Sequence, residues 1–301
     1  MSFEPIRGFV AAPFTPMHPD GRIDFDRIPS YAAHLRASGV RGVFVNGTTG
    51  EGYALSRDER TKAAEAWVSE AGDKLLVIVH VGAESHTDAR KLAAHAQDIR
   101  ADGIASMSPV FFRPNLTGLV EWCSGIAAEA PELPFYYYHI PSMTGMHVPI
   151  VDFLDQAGGR IPTLRGVKYT HHDLMDFRLC ASLDGGRYDL LFGRDEILLS
   201  ALVLGTEGMV GSTYNYAMPL YDAIVTAFRA GRLDEAARVQ ERAMRMVKIL
   251  EANGGGTVAG KALMRGTGLD MGPCRVASPL TDDAVDGAVA AARALGAYGP
   301  T

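Results

Sequence analysis

The amino-acid sequence predicts an α/β protein, a (β/α)₈ TIM barrel followed by a C-terminal helical extension. Eight short runs rich in Val, Ile, Leu, Phe and Tyr have the character of strands, and most are separated by one segment of helical length. Near-continuous apolar runs of this kind are typical of parallel strands that are buried on both faces. Eight successive βα units are the number that closes a parallel sheet into a barrel.

Each βα unit contributes recognisable local signals. Ser56 and Glu59 form a capping-box pattern at the start of the helix that follows the second strand. Gly39 and Gly231 are predicted to end the first and eighth barrel helices, because glycine readily adopts the left-handed conformation found there. The seventh unit leaves only Asp195–Gly205 for its helix, so that helix is predicted to be short. The predicted strands are Gly8–Phe14, Gly42–Asn46, Leu75–Val81, Gly103–Pro109, Phe135–Ile140, Leu164–Tyr169, Leu190–Gly193 and Gly208–Thr213.

The strand pattern stops after the eighth unit. Three further helical stretches are predicted at Leu233–Glu251, Ala259–Met264 and Asp282–Leu295, and the first has apolar residues near helical spacing. We therefore expect a catalytic barrel in residues 1–231 and a helical extension in residues 232–301 that packs on the barrel.

Composition and charge exclude several classes of partner. Apolar residues make up 47% of the 301 residues and charged residues 21%, as in a folded globular protein. The chain has 29 basic and 35 acidic residues without a basic stripe, so nucleic acid is not an expected partner. No uninterrupted apolar run reaches the roughly 18 residues of a membrane span, so no membrane association is expected.

The cysteines and the N-terminal residues bear on the cellular compartment. Cys123, Cys180 and Cys274 are widely spaced and form no CxxC pair, which fits reduced thiols better than a disulfide framework. The first residues lack the basic and apolar segments of a secretory signal. We therefore expect a cytoplasmic protein.

Lys168 is the one lysine that lies within a predicted strand, whereas the others lie in helical or loop segments among polar residues. Side chains alternate along a strand, so Lys168 and Thr170 share one face and Val167 and Tyr169 the other. If Lys168 points into the barrel, burial lowers the pKa of its amine and leaves a neutral nucleophile for a carbonyl group. The alternative is a lysine that extends from an edge strand to solvent.

The strand before Lys168 carries three consecutive tyrosines. Tyr136 and Tyr138 share a face, and Tyr138 lies nearer the C-terminal end of the strand. Neighbouring strands are about 4.8 Å apart, so a tyrosine there can reach Lys168 and its phenol can transfer protons. The alternative is a set of buried packing rings.

The turn Gly47–Glu51 follows the second strand directly. Its glycines flank the hydroxyl groups of Thr48 and Thr49, and such a turn can direct backbone N–H groups toward an anion. A carboxylate suits it better than a triphosphate, since no lysine is near. The alternative is an ordinary βα turn.

Two further motifs are rejected as functional sites. Gly255–Ala262 resembles a phosphate-binding P-loop, but Ala262 replaces the required Ser or Thr and a helix is predicted before it. His171–Asp173 lacks the partners of a known metal motif and is predicted to be a polar helix start. No metal and no cofactor are therefore expected.

Four motifs together resemble the N-acetylneuraminate lyase and dihydrodipicolinate synthase family, the class I pyruvate-handling barrel aldolases. They are Gly-Thr-Thr-Gly-Glu, Tyr-Tyr-Tyr-His-Ile-Pro, Gly-Val-Lys-Tyr-Thr and Gly-Ser-Thr-Tyr-Asn, in the family's order along nearly the whole chain. The resemblance implies that Lys168 is the Schiff-base lysine and Tyr138 the catalytic tyrosine. It also implies that Thr48 and Thr49 bind the pyruvate carboxylate.

Two positions depart from the dihydrodipicolinate synthases of this family. Met143 stands where those enzymes usually have an arginine for the carboxylate of their second substrate. Phe112 stands where a tyrosine from a neighbouring subunit joins their proton relay. Both departures count against that activity.

Leu-Phe-Gly-Arg-Asp-Glu and Gly-Ser-Thr-Tyr-Asn look like the sialic acid lyase branch instead. Acidic and hydroxyl groups suit a polyhydroxylated chain, because they accept and donate several hydrogen bonds. The place of the two acidic residues at the start of the seventh helix also fits a capping role. The sugar-binding positions implied by the resemblance are Thr170, Gly193, Asp195, Glu196 and Ser212.

The resemblance implies a Schiff-base aldolase that cleaves N-acetylneuraminate to pyruvate and N-acetylmannosamine. No metal or cofactor is required, since the imine is the electrophile. The implied partners are a small keto acid or sugar acid and further copies of the chain in a homotetramer. The alternatives are an aldolase or dehydratase of another 2-keto-3-deoxy sugar acid, dihydrodipicolinate synthase, and a non-catalytic barrel that binds a keto acid.

Overall fold

The computed structural model describes residues 4–275, 277 and 279–299, and its sheet is a closed barrel of eight parallel strands in chain order. Val10 pairs with Gly42 of the second strand and with Val210 of the last, so the first strand closes the ring. The predicted fold class is confirmed. The strands are β1 Gly8–Ala11, β2 Gly42–Val45, β3 Leu76–His80, β4 Gly103–Ser106, β5 Phe135–His139, β6 Leu164–Tyr169, β7 Asp189–Phe192 and β8 Gly208–Gly211.

Several strands end earlier than predicted. β1 stops at Ala11 instead of Phe14, and β8 stops at Gly211 because Thr213 begins a 3₁₀ turn. The backbone beyond these ends leaves the ladder and forms the loops at the barrel mouth. Propensity alone does not separate such loop residues from strand residues, because Ala12, Phe14 and Thr213 are buried like the strand residues that precede them.

The helices surround the barrel and confirm the local sequence signals. Ser56 Oγ accepts from the Glu59 N–H at 3.2 Å, and Glu59 accepts from the Ser56 N–H at 2.8 Å, which completes the capping box. Gly39 and Gly231 both have positive φ at helix ends. The helices are α1 Ile28–Ala37, α2 Arg57–Ala71, α3 His86–Asp98, α4 Leu116–Ala127, α5 Pro141–Thr144, α6 Ile150–Gly158, α7 Leu174–Ser182, α8 Leu198–Val203, α9 Met218–Arg229, α10 Leu233–Ala252, α11 Gly255–Leu263 and α12 Asp282–Ala294.

The strands separate two apolar layers. Val167 and Tyr169 belong to the large outer layer, where strands meet helices. Phe44 and Tyr138 belong to a smaller layer inside the barrel. Lys168 alternates with its outward-facing neighbours and is therefore directed into the barrel, as the strand periodicity predicts.

The C-terminal helices reach the barrel mouth. Helix α10 packs along α9, and the side chain of Gln240 accepts from the Leu199 N–H at 2.8 Å and donates to the Asp195 carbonyl at 3.2 Å. The turn between α10 and α11 borders the cavity described below. Although α10 has 20 residues, neither it nor any other helix in the described part of the chain is long and apolar enough to cross a membrane.

Candidate active site

A cavity of about 610 Å³ opens at the C-terminal ends of the strands. This is the end of a (β/α)₈ barrel at which loops meet and ligands bind. The structure brings together all of the residues that the sequence places in the site. They are Thr48, Thr49, Tyr138, Lys168, Thr170, Gly193, Asp195, Glu196 and Ser212.

Lys168 and Tyr138 are direct neighbours across the ladder of β5 and β6. The Lys168 side chain is 4% exposed, and its Nζ lies 4.1 Å from the centroid of the Tyr138 ring and 3.7 Å from that of Phe44. Burial lowers the pKa of Lys168 to about 7, and the negative charge of Asp195 partly opposes this shift. A large share of the amine is therefore neutral near pH 7.

The Tyr138 hydroxyl lies 3.4 Å from Thr48 Oγ1, which joins it to the turn after β2. Burial raises the pKa of Tyr138 to about 12, and the nearby hydroxyls of Thr48 and Thr170 moderate the rise. The phenol is therefore protonated at neutral pH, as a proton donor should be.

The turn after β2 is held in one conformation by its own backbone. The Gly52 N–H donates to the Gly47 carbonyl at 3.1 Å, and the Glu51 N–H donates to the Thr48 carbonyl at 3.0 Å. A Cβ atom on Gly52 would lie 1.9 Å from the Asn46 carbonyl oxygen, so only glycine fits there. The turn thus presents its two threonines to the cavity in a fixed position.

The last residue of this turn, Glu51, forms an ion pair that the sequence did not reveal. Glu51 and Lys261 side chains are each 1% exposed, and Lys261 Nζ lies 3.0 Å from Glu51 Oε1. Glu51 also accepts from the Arg275 N–H at 2.6 Å, and Lys261 donates to the Pro273 carbonyl at 2.6 Å. Lys261 lies in a helix, as predicted, but it is buried and not among exposed polar residues, because it pairs with Glu51, 210 residues away in the chain.

Asp195 forms the opposite wall of the cavity, beside β8. Its Oδ2 accepts from the Thr213 N–H at 3.1 Å and from the Thr213 hydroxyl. Burial raises the pKa of Asp195 to about 6, with the hydrogen bonds from Thr213 opposing the rise. Among the described residues, neither Asp195 Oδ1 nor Thr170 Oγ1 has a hydrogen-bond partner. Buried oxygens without partners are suited to bind polar groups of a ligand.

Two glycines make room for these oxygens. A Cβ atom on Gly211 would lie 2.1 Å from Asp195 Oδ1, and a Cβ atom on Gly193 would lie 2.1 Å from Thr170 Oγ1. Gly193 therefore contributes to the site by the absence of a side chain.

Glu196 is half-buried and pairs with Arg194 at 2.7 Å. Neither Asp195 nor Glu196 caps the short helix of this unit, since no side chain caps the 3₁₀ turn Asp195–Ile197 or the following α8. The capping alternative is therefore wrong. Ser212 lies at the end of β8 on the same side of the cavity.

Sequence reasoning missed part of the cavity wall. Arg194, Ser142, the turn residue Gly254 and the first turn of α11, Gly255–Thr257, also line the cavity. The glycine run of this turn was visible in the sequence, but no local signal placed it at the barrel mouth. Met143 lines the cavity and is 55% exposed.

The two rejected motifs have ordinary structural roles. Gly255–Ala262 lies in α11 and follows another helix rather than a strand. Asp173 caps α7 by accepting from the N–H groups of Met175 and Asp176, each at 3.1 Å. Within residues 4–275, 277 and 279–299, no group of three or more His, Cys, Asp or Glu side chains is arranged to hold a metal ion.

An eight-stranded parallel barrel with a buried, partly neutral lysine at its mouth has the architecture of a class I aldolase. The profile of the Dihydrodipicolinate synthetase family matches residues 5–295. The chain belongs to this family, as its motifs predict.

Curated relatives and solved structures agree with this assignment. The chain is 45% identical over 276 residues to N-acetylneuraminate lyase of Mus musculus, covering 90% of this chain and 86% of that protein. It is 43% identical to N-acetylneuraminate lyase of Homo sapiens, again over 276 residues that cover 90% of this chain and 86% of that protein. Its structure matches Proteus mirabilis N-acetylneuraminate lyase with a TM-score of 0.95 and 39% identity, covering 98% of this chain and 100% of that one.

Proposed function

We propose that this chain is a Schiff-base aldolase that cleaves N-acetylneuraminate to pyruvate and N-acetylmannosamine. The observation that carries the proposal is the buried Lys168, whose lowered pKa and contact with Tyr138 suit imine chemistry. The similarity to curated N-acetylneuraminate lyases supports the choice of substrate.

In this proposal, imine formation begins when the neutral Lys168 amine attacks the C2 ketone of the open-chain sugar acid. The carbinolamine then loses its hydroxyl group as water, with a proton supplied by the Tyr138 phenol. A protonated imine and a phenolate remain side by side, and their attraction is strong because the site is buried. The hydroxyls of Thr48 and Thr49 hold the C1 carboxylate during this step.

Carbon–carbon cleavage follows from this pair of charges. The Tyr138 phenolate takes the proton of the C4 hydroxyl, the electron pair of the C3–C4 bond moves into the imine, and the aldehyde leaves as N-acetylmannosamine. The resulting enamine is neutral. Tyr138 then returns its proton to C3, which forms the protonated pyruvate imine. Water hydrolyses this imine to pyruvate and the neutral Lys168 amine, and the proton released restores the Tyr138 phenol.

The wall formed by β7, β8 and their loops suits the hydroxylated half of the substrate. Asp195 Oδ1 and Thr170 Oγ1 have no partners in the described residues, and Glu196 and Ser212 lie on the same side. We assign these residues to the sugar, with Gly193 providing space. Met143 provides no charge for a second carboxylate, which disfavours dihydrodipicolinate synthesis.

We further infer a cytoplasmic homotetramer with a catalytic barrel in residues 1–231 and a packed extension in residues 232–301. The resemblance to the family supports the subunit number. The buried free thiols of Cys123 and Cys180 suit a reducing compartment.

The proposal is tested by pyruvate release from a panel of 2-keto-3-deoxy sugar acids, with Lys168→Ala as the control. We expect the highest kcat/KM for N-acetylneuraminate and no turnover by the variant. Borohydride with pyruvate should leave one reduced adduct per chain, on Lys168. A higher kcat/KM for another sugar acid would contradict the assignment of N-acetylneuraminate as the substrate. An adduct on another residue would contradict the Schiff-base mechanism at Lys168.

A further inference from the structure

The Lys168 amine lies in a corner between two aromatic rings. Its Nζ is 3.7 Å from the centroid of the Phe44 ring and 4.1 Å from that of Tyr138. The two rings are 5.4 Å apart and nearly perpendicular, with an interplanar angle of 72°. The charge of Asp195 acts on this amine through space, whereas the two ring faces lie directly against Nζ. The ring faces are therefore its closest favourable contacts when it is charged.

The Phe44 ring is held in place from several sides. Phe44 is fully buried and lies in β2, facing the barrel interior. Its ring centroid is 6.0 Å from that of His80, and a Cβ atom on Gly47 would already lie 3.0 Å from the ring. The ring cannot turn away from the amine without displacing these neighbours.

Phe44 differs from Tyr138 in what it can offer to the reaction. A phenylalanine ring has no group that accepts or donates a proton, so it can act only through its apolar surface and its negative π face. Such a face attracts a cation within about 6 Å of the centroid, and the attraction grows when water is excluded. The nitrogen that carries the ammonium charge is also the nitrogen that carries the charge of the protonated imine.

We propose that Phe44 is a catalytic residue, whose ring face stabilises the positive charge on the Lys168 nitrogen in the protonated imine. This inference rests on the Schiff-base function proposed above. Burial withdraws water from this nitrogen, and the Phe44 face restores part of the lost stabilisation at the stage where the imine must hold a charge.

The charged surroundings of the nitrogen are consistent with this role. Asp195 is a negatively charged group whose field reaches Lys168, and its Oδ2 accepts from Thr213, while its Oδ1 has no partner among the described residues. His80 stays neutral, because burial and the positive charges of Arg60 and Lys168 lower its pKa. The ring face thus adds to the attraction of Asp195 without adding a second titrating group.

The test replaces Phe44 with 4-fluoro-, 3,5-difluoro- and 3,4,5-trifluorophenylalanine by site-specific incorporation. Fluorine weakens the negative π face in steps while the size of the ring changes little. We expect kcat/KM above pH 9, where the amine is neutral, to fall stepwise by about 2- to 30-fold in total. The acid limb of kcat/KM should also move to lower pH, because the ammonium form loses the same contact.

A matched control is the same fluorinated series at Phe153, which is fully buried but packs against Tyr137 outside the barrel interior. This series should change neither kcat/KM nor the acid limb. Unchanged values across the Phe44 series, with borohydride-trapped adduct still on Lys168, would overturn this inference and leave the proposed function intact. An equal loss in the Phe153 series would overturn it as well. Absence of any adduct in the wild type would instead overturn the proposed function.

Discussion

Lys168 and Tyr138 share one environment, and burial shifts the pKa of each away from its charged form. The pKa of Lys168 falls to about 7 and that of Tyr138 rises to about 12. Between these values the amine and the phenol are both uncharged. A neutral nucleophile and a proton donor therefore coexist next to each other over a wide range of pH, which suits imine formation.

The lowered pKa of Lys168 predicts a particular pH dependence. Since only the neutral amine attacks a ketone, kcat/KM should rise with pH through a midpoint near 7 and reach a plateau above it. Steady-state assays from pH 5 to 9.5 measure this limb. A limb that still climbs at pH 9 would show that the lysine keeps its ordinary pKa near 10.5.

The same shift predicts an effect on stability that needs no substrate. Between pH 7 and 10.5 Lys168 is protonated in the unfolded chain but not in the folded chain. The free energy of unfolding therefore rises with pH in this range, and the destabilisation caused by burying Lys168 shrinks. Lys168→Met should therefore raise Tm most below pH 7, and the gain should shrink on going to pH 10. A gain that does not depend on pH would contradict the shift.

Tyr138→Phe removes the phenol that we propose as the proton carrier but keeps the ring next to the lysine. We expect kcat to fall about 10²- to 10⁴-fold, while pyruvate is still trapped on Lys168 by borohydride. Tyr136→Phe is the matched control, because Tyr136 lies on the same strand face but its hydroxyl donates to Asp189 at 3.0 Å. Near-normal turnover by Tyr138→Phe would assign the proton transfer to another group.

At the scale of elements, α11 is joined to the turn after β2 by the buried pair of Lys261 and Glu51. Glu51 belongs to the same turn as Thr48 and Thr49, so this pair connects the C-terminal extension to the site. Breaking one member leaves the other charge buried without a partner, which is more costly than removing both.

Lys261→Met should lower the free energy of unfolding by about 3–5 kcal/mol. The double variant Glu51→Gln, Lys261→Met should recover part of this loss, and urea denaturation measures both. Lys248→Met is the control, since Lys248 pairs with Glu251 at 2.6 Å with 77% and 55% of the side chains exposed. Lys248→Met should lower the free energy of unfolding by about 1 kcal/mol or less. A similar loss of unfolding free energy in Lys261→Met and Lys248→Met would show that the buried ion pair contributes no more to stability than the exposed one.

Glu196 lies in the loop after β7 and is predicted to bind the sugar half of the substrate. Glu196→Ala should lower kcat/KM for N-acetylneuraminate about 10- to 100-fold, because a bound hydroxyl loses its partner. Pyruvate imine formation should stay close to wild type. Glu207→Ala is the control, since Glu207 pairs with Arg7 at 3.1 Å at the other end of the barrel. Unchanged selectivity among sugar acids in Glu196→Ala would leave this glutamate without a role in recognition.

At the scale of the whole molecule, apolar side chains on the surface predict association. Phe111 and Phe112 are 80% and 81% exposed and their ring centroids lie 4.9 Å apart, and such clusters of exposed apolar side chains are typical of interfaces. Light scattering should give four times the 32.3 kDa mass of the chain. Phe111→Asp with Phe112→Asp should lower the mass, whereas Leu233→Asp, at a site 54% exposed, should not. A wild-type monomer at micromolar concentration would contradict the homotetramer.

The sequence alone was sufficient to predict the barrel and the capping box at Ser56, whereas strand alternation left the inward direction of Lys168 as one of two alternatives. The strand pattern and the capping box are local signals, since side-chain alternation and helix caps involve residues that are close in the chain. Closure of the barrel also needs distant pairings, such as Val10 with Val210, which the count of eight βα units predicts. The candidate site was predictable for a related reason, since the C-terminal ends of parallel strands meet at one end of a barrel. The chemical roles of its residues stay predictions that the experiments above address.

Only the tertiary structure decided which distant residues meet. Lys261 pairs with Glu51 across 210 residues, and Asp195 turns to Thr213 instead of capping the helix that follows it. The turn between α10 and α11 reaches the cavity because α10 packs on α9 and returns the chain to the barrel mouth. Such contacts leave no local pattern in the sequence, because each depends on how the closed barrel brings separate elements together.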